Sequence, residues 1–226
     1  MYHYPFKPQG PPREDLLASL QATTLYGILD IEYTSEEAAV EVAEDLIKGG
    51  VGIIQLRAKC ISTYSLRQIA RDVLPLARAA SIPFLINDFP DIAAEVGADG
   101  AHIGQDGGSL AEARKILGPD ALIGRSTHSP EQARQAESEG FDYIGFGPLY
   151  ATPTKPGRPA IGLDHIAEVV QHARLPVFCI GGINRRTLPN VVAAGATRIV
   201  AVSAILQATD PPAEAKLLQE MMKSET

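Results

Sequence analysis

The sequence predicts an α/β fold, a single-domain (β/α)8 TIM barrel with a short extra helix ahead of its first strand. Three observations carry this expectation. Short apolar runs alternate strictly with amphipathic helical stretches, the pattern of parallel strands joined by crossover helices. The runs are apolar almost throughout rather than at every second position, as in strands covered on both faces. Eight such units fit within 226 residues, which suits a sheet closed on itself. No Gly-x-Gly-x-x-Gly follows the first run, which disfavours an open dinucleotide-binding sheet.

The elements follow in order. Residues 1–12, with Pro5, Pro8, Pro11 and Pro12, read as an N-terminal arm, and Glu14–Gln21 as a helix covering the barrel bottom. Leu25–Leu29 is the first strand. Ser35–Lys48 reads as the next helix, with Ser35 as its cap, Glu36 and Glu37 in its first turn, and Gly49-Gly50 ending it. Strand Ile53–Leu56 and helix Ser65–Ala80 come next, then strand Ile82–Ile86 and a helix opened by Phe89-Pro90 and closed at Gly97. Strand Gly100–Ile103, helix Ser109–Leu117, strand Ala121–Gly124 and helix Pro130–Glu139 before Gly140 continue the alternation. Strand Tyr143–Phe146, helix Leu163–Ala173, strand Pro176–Ile180, helix Arg186–Ala194 before Gly195, and strand Arg198–Val202 complete it. The barrel thus spans residues 24–208, and residues 209–226 read as a C-terminal helix.

Composition narrows the partners. A hydrophobic content of 45%, a charged content of 21% and a net charge of −7 describe an ordinary globular chain without a basic stripe for nucleic acid or an anionic membrane. No stretch reaches the ~20 apolar residues of a membrane span. The first ten residues lack an apolar core of signal-peptide length, and the two cysteines, Cys60 and Cys179, have no disulfide or metal spacing. A reduced, cytoplasmic setting is expected, with small-molecule substrates as partners and a homodimer allowed.

Almost every strand runs into polar residues: Asp30; Gln55, Arg57 and Lys59; Asn87 and Asp88; Gln105 and Asp106; Ser126, Thr127 and His128. The series continues with Thr152, Thr154 and Lys155, then Gly181 and Gly182, then Ser203. In a parallel barrel the C-terminal strand ends share one face, where the chemistry is placed. These residues are expected to make one site.

Gln55, Arg57 and Lys59 alternate along a strand, so all three point to one side within ~13 Å. A solvated edge strand would show the same pattern, but an inner barrel strand has no such edge. There Arg supplies a bidentate fork and Lys a point charge, a pairing that suits phosphate. Asn87-Asp88 closes the third strand. A carboxylate beside a phosphate is repelled by roughly 4 kcal/mol per charge pair at about 4 Å and an effective dielectric of about 20, and a bridging Mg²⁺ removes the conflict. An Asx turn opening the next helix is the other reading of Asp88. The loop from Gly147 to Arg158, with Thr152, Thr154 and Lys155 among prolines, has the length of an active-site lid, or of a linker. Gly181-Gly182 and Ser203-Ala204 follow the last two strands, where backbone N–H groups commonly hold a phosphate. His102 reads more readily as a satisfied core residue than as a ligand, whereas His128 stands at the mouth as an orienting or acid–base group.

Together these stretches resemble the thiamine-phosphate synthase family. The resemblance rests on Gln55-Leu56-Arg57-Ala58-Lys59, Ile86-Asn87-Asp88, Ala98–Gln105, Gly124–His128, Phe146-Gly147-Pro148 leading to Thr152-Pro153-Thr154-Lys155, Gly181-Gly182-Ile183 and Val202–Ile205. It covers about residues 24 to 208, and the shared order of short motifs makes it specific. It implies displacement of pyrophosphate from an aminopyrimidine diphosphate by the ring nitrogen of a thiazole phosphate, with Mg²⁺. It further implies that Gln55, Arg57, Lys59 and Asn87 hold the diphosphate and that Asp88 is a Mg²⁺ ligand. Ser126 then lies beside the reacting pyrimidine diphosphate, and Lys155 on the departing pyrophosphate. Thr152, Thr154, Gly182 and the backbone at Ser203 and Ala204 hold the thiazole phosphate.

One departure stands out. The family usually has an Asp, a second Mg²⁺ ligand, where this chain has Gly107; the preceding residue is Asp106. The expectation is that Asp106 reaches the metal directly or through water. The first strand also ends Leu29-Asp30 where Thr-Asp is common. Two other readings remain. A thiazole tautomerase on the same barrel would use His128, but that relative generally lacks the full Gln-x-Arg-x-Lys set and the Thr-x-Thr-Lys loop. A non-catalytic phosphate-binding barrel would follow from loss of the metal at Gly107.

Overall fold

β-Branched and large apolar residues dominate the eight runs, and each run forms a strand. A computed structural model of the chain describes residues 10–152 and 159–224. The strands are β1 (Leu25–Asp30), β2 (Ile53–Arg57), β3 (Phe84–Asn87), β4 (Gly100–Ile103), β5 (Leu122–Thr127), β6 (Tyr143–Phe146), β7 (Val177–Ile180) and β8 (Ile199–Ala201). They pair in parallel in chain order, and β8 returns to β1, closing the barrel. The helices are α1 (Arg13–Ala22), α2 (Ala39–Lys48), α3 (Thr63–Ala79), α4 (Pro90–Val96) and α5 (Leu110–Leu117). They continue with α6 (Pro130–Glu139), α7 (Ile166–His172), α8 (Leu188–Ala193), α9 (Ser203–Leu206) and α10 (Pro211–Ser224).

The period-2 alternation of strands sorts the apolar residues into two layers. Tyr26, Ile28, Ile53, Leu85, Leu122, Tyr143, Phe178, Val200 and Val202 form the inner cluster, joined by Leu16 and Leu20 of α1. Residues of the other parity, such as Leu25, Leu29, Ile54, Leu56, Phe84 and Ile86, pack outward against the helices. Both faces are therefore apolar, which is why the runs show no visible alternation. Leu16 and Leu20 plug the barrel bottom, each contributing about 1.5–3 kcal/mol relative to exposure.

Buried carboxylates tie down that bottom. Asp142 accepts from Arg13 of α1, from Arg114 at 2.7 Å and from the Ile123 N–H at 2.7 Å. Asp99 does the same before β4, accepting from Arg78 and from the Phe84 N–H at 2.9 Å. Burial lifts the Asp99 carboxyl above its ordinary range, while the Phe84 N–H and Arg78 pull it back. On the other side, Gln219 of α10 donates to Gly49 O at 2.7 Å, satisfying a carbonyl at the end of α2.

Several boundaries differ from expectation, each for a local reason. The second helix begins at Ala39, because Ser35 Oγ accepts from the Ala38 N–H (3.2 Å) and closes a turn ahead of the helix instead of capping it. The third helix begins earlier than expected, at Thr63, because Ser62 Oγ caps it by accepting from the Ser65 N–H at 3.0 Å. β3 starts at Phe84, since Pro83 has no N–H for the ladder. α8 starts at Leu188 because the Asn184 side chain accepts from the Arg186 and Thr187 N–H groups and occupies the preceding residues in a turn. α7 likewise is shorter, beginning at Ile166. Among the described residues no helix is long and apolar enough to cross a membrane.

Candidate active site

Strand register brings the polar ends to one level. Arg57 pairs with Asp30, His102 with Asn87 and Ser126 with Gly145 in adjacent strands. They open onto a central cavity lined by Gln55, Arg57, Asn87, Ser126, Thr152, Gly182 and Ser203, together with His102, His128, Tyr26 and Tyr143. A second groove is lined by Lys59, Asp88, Gly104, Gln105, Asp106 and Gly107. The two share Asn87 and Ser126. Ala204, by contrast, lines a groove on the outer side with Arg185 and Gln207. Its backbone still lies in the first turn of α9, directly after Ser203, where N–H groups have no intrahelical partner. Thr154 and Lys155 lie outside the described residues.

Arg57 is 6% exposed and already has anionic partners. Its Nη1 lies 2.8 and 2.7 Å from the two Asp30 oxygens and 3.0 Å from Glu32 Oε2. Burial opposes the guanidinium charge, but Glu32 and Asp30 outweigh it and hold the charge in place. Burial lifts the Asp30 carboxyl above its ordinary range, with Arg57 as the main opposing charge.

Lys59 does not continue the strand. β2 ends at Arg57, whose carbonyl accepts the last ladder bond from the Ile31 N–H at 2.9 Å, and the chain then bends. Gln55 and Arg57 point inward as expected, while Lys59 reaches over the rim to Asp88, Nζ to Oδ2, at 3.1 Å. Its side chain is 46% exposed against 23% for Asp88.

Asp88 sits at φ 60°, a left-handed conformation rare outside glycine. Its Oδ1 accepts from the Gly104 N–H at 2.8 Å, and Oδ2 accepts from Asn87 Nδ2 at 2.9 Å. The carboxylate is thus held across to the β4 end, not in a local turn, and the next helix has Phe89 at its N-cap without a side-chain bond. Burial pushes the Asp88 carboxyl up, but the Gly104 N–H and Lys59 outweigh it and leave it below its ordinary range.

Gly107 lies beside this carboxylate. A Cβ there would stand 3.3 Å from Asp88 Oδ1 and 2.6 Å from Ile103 Cγ2, so Ile103 fills the space that a side chain needs. Asp106, the neighbouring residue, lines the same groove as Asp88. Among the described residues no three His, Cys, Asp or Glu side chains converge as metal ligands.

Deeper in the barrel, His102 joins Ser126 through Nε2 at 3.0 Å and Tyr143 OH through Nδ1 at 3.0 Å. Tyr143 OH meets Tyr26 OH at 2.9 Å, and Tyr26 OH accepts from Gln55 Nε2 at 2.7 Å. Gly124 makes room for this arrangement, since a Cβ there would stand 2.1 Å from Tyr143 Cζ. His102 is therefore a satisfied interior residue that also touches Ser126. His128 approaches Gly147 O through Nδ1, and its backbone N–H donates to Gln132 Oε1 at 2.8 Å. Sequence reasoning missed Tyr26, Tyr143 and Glu32 as members of the site. The available signal was a pair of tyrosines inside apolar strands, because a buried phenol needs a partner.

A family model described as thiamine monophosphate synthase matches residues 25–205, from the start of β1 into α9. The chain belongs to that family. Thiamine-phosphate synthase of Thermus thermophilus is 44% identical over 189 residues, covering 83% of this chain and 91% of the relative. That of Thermosynechococcus vestitus is 38% identical over 215 residues, covering 95% of this chain and 60% of the relative. The solved thiamine phosphate pyrophosphorylase from Pyrococcus furiosus superimposes with a TM-score of 0.81 at 30% identity, covering 93% of this chain and 98% of that one. Membership in the thiamine monophosphate synthase family makes the chain a transferase of thiamine biosynthesis. The family match spans every strand that contributes to the cavity and the groove.

Proposed function

We propose that the chain joins 4-amino-5-hydroxymethyl-2-methylpyrimidine diphosphate to 4-methyl-5-(2-phosphoethyl)thiazole, or its 2-carboxy form, giving thiamine phosphate and pyrophosphate. The observation that carries this reading is the junction of two compartments at Asn87 and Ser126, one deep and largely apolar, the other open and charged. A flat ring with a charged tail suits such a junction, with the ring inside and the diphosphate toward Lys59 and Asn87.

The residue roles follow from chemistry. Arg57, Lys59 and Lys155 supply positive charge to the diphosphate, while Gln55 and Asn87 supply N–H donors. The bond from the pyrimidine methylene to oxygen breaks with its electron pair going to pyrophosphate, and the thiazole nitrogen forms the new C–N bond. An electron-rich aminopyrimidine stabilises the positive methylene, so the reaction needs charge neutralisation on the leaving group more than a strong base. Ser126 stands beside the reacting pyrimidine diphosphate. Thr152, Thr154, Gly182 and the backbone at Ser203 and Ala204 hold the thiazole phosphate, and holding both substrates in line contributes the rest.

The donor set fits Mg²⁺. Asp88 is kept ionised, Asp106 lines the same groove, and hard oxygen donors completed by substrate phosphate and water are what this ion takes. Bound there, it would neutralise charge on the diphosphate.

The test mixes purified protein, both substrates and Mg²⁺, with thiamine phosphate detected as fluorescent thiochrome and an EDTA-treated sample alongside. Product formed only with Mg²⁺ supports the reading. Folded protein that gives no product removes it; isomerisation of thiazole carboxylate phosphate would then identify a tautomerase, and tight binding without turnover a non-catalytic barrel.

A further inference from the structure

Five polar side chains on five strands form one continuous row of hydrogen bonds through the barrel. It runs from Gln55 on β2 to Tyr26 on β1 (2.7 Å), Tyr143 on β6 (2.9 Å), His102 on β4 (3.0 Å) and Ser126 on β5 (3.0 Å). All five are at most 8% exposed. Its two ends, Gln55 and Ser126, are both expected to meet substrate.

A row of this kind has two senses, and the proton count chooses between them. Gln55 aims an N–H at the Tyr26 oxygen. Tyr26 then spends its own proton on Tyr143, Tyr143 donates to His102 Nδ1, and a neutral imidazole carries its hydrogen on Nε2. In the opposite sense Tyr143 would donate to Tyr26. The Tyr26 proton, whose hydrogen-bond neighbours are Gln55 Nε2 and Tyr143 OH, would then be left without an acceptor. A buried donor without a partner is strongly disfavoured. Burial pushes both phenols well above the usual tyrosine range, so each keeps its proton.

We infer that Tyr143 and His102 are positioning residues that set the polarity of Ser126: Tyr143 holds His102 as the Nε2–H tautomer, His102 donates to Ser126 Oγ, and the serine proton is left to be donated into the cavity. Ser126 is then a hydrogen-bond donor toward the cavity, with one of its two oxygen lone pairs engaged by His102. What Ser126 meets in the cavity, the pyrimidine diphosphate, rests on the function proposed above; the polarity of the row does not.

The test is long-range proton–nitrogen NMR on ligand-free protein labelled with ¹⁵N-histidine, the His102 signals being assigned from a His102→Gln variant. Wild-type protein at neutral pH is expected to show His102 protonated on Nε2 and bare on Nδ1. Gln55→Glu, whose carboxylate can only accept from Tyr26, is expected to reverse the row and move the His102 proton to Nδ1. Tyr143→Phe keeps the ring, removes the donor to Nδ1 and is expected to give a mixture of tautomers. In the synthase assay it is expected to lower kcat by about tenfold or more while the KM for thiazole phosphate changes less than about threefold. Wild-type His102 protonated on Nδ1, or on both nitrogens, overturns the inference. So does an unaltered His102 pattern in both variants. The spectrum needs no turnover, so this inference and the proposed reaction can fail separately.

Discussion

Lys59 Nζ and Asp88 Oδ2 lie 3.1 Å apart across the rim of the barrel, a cation expected to hold a diphosphate paired with a carboxylate expected to hold a metal. Each neutralises the other until a ligand that carries both partners arrives. The Lys59 side chain is half-exposed on the loop after β2, so its contribution is to binding rather than to the shape of the site. Lys59→Met is expected to raise the KM for pyrimidine diphosphate by about ten- to a hundredfold, the worth of one charge-assisted hydrogen bond, with a smaller effect on kcat. Steady-state kinetics at saturating Mg²⁺ measure this, and an unchanged KM takes Lys59 out of the binding set.

Gly107 and Asp106 decide how the second metal ligand is supplied. Asp88→Ala is expected to abolish Mg²⁺-dependent activity, and Asp106→Ala to shift the Mg²⁺ concentration for half-maximal rate upward by about tenfold, as loss of one carboxylate does. An Asp106→Ala enzyme indistinguishable from wild type excludes Asp106 from the metal. Gly107→Asp would place a Cβ 2.6 Å from Ile103 Cγ2 and 3.3 Å from Asp88 Oδ1. Without metal it is expected to cost about 1–3 kcal/mol through overpacking, plus repulsion between the carboxylates. Thermal unfolding should show Mg²⁺ restoring part of that loss. A variant as stable as wild type in EDTA contradicts the packing argument.

Asp88 makes a prediction for acid stability. Its carboxyl titrates below the ordinary value of 3.8 because the Gly104 N–H and Lys59 outweigh burial. A depressed native pKa means that the unfolded chain binds the proton more tightly. The stabilisation is therefore fully present above 3.8 and is lost as pH falls through the lower native value. Asp88→Asn keeps the size and tolerates the left-handed backbone. Metal-free urea denaturation should show the gap between wild type and Asp88→Asn constant near neutral pH and narrowing below about pH 4. A gap that widens in acid reverses the sign and removes the pairing as its cause.

The two thiols should separate cleanly. Cys60 is exposed on the loop after β2, whereas Cys179 is buried in β7 and its thiol is pushed up to about 12 by burial. Thiolate is the reactive form, so a disulfide reagent at pH near 8 should label one thiol per chain in native protein and both in denaturant. Two fast thiols in native protein would mean that β7 opens.

Sequence alone determined the barrel, its chain-order strands and the face that carries the polar residues. That information is local: a run of apolar residues makes a strand, a capped amphipathic stretch makes a helix, and their alternation leaves a parallel barrel as the closed solution. It placed Gln55, Arg57, Asn87, Ser126 and Asp88 at the mouth because strand ends carry them there. Tertiary structure alone decided which of those groups touch. Lys59 turned to Asp88 once the strand ended at Arg57, and Arg57 found its carboxylates in Asp30 and Glu32 on the neighbouring strand's end. Tyr26 and Tyr143 are 117 residues apart and meet only because closure brings β1 and β6 across a common interior. Hydrogen bonds act over about 3 Å, a length on which periodicity is silent and only the closed barrel has an opinion.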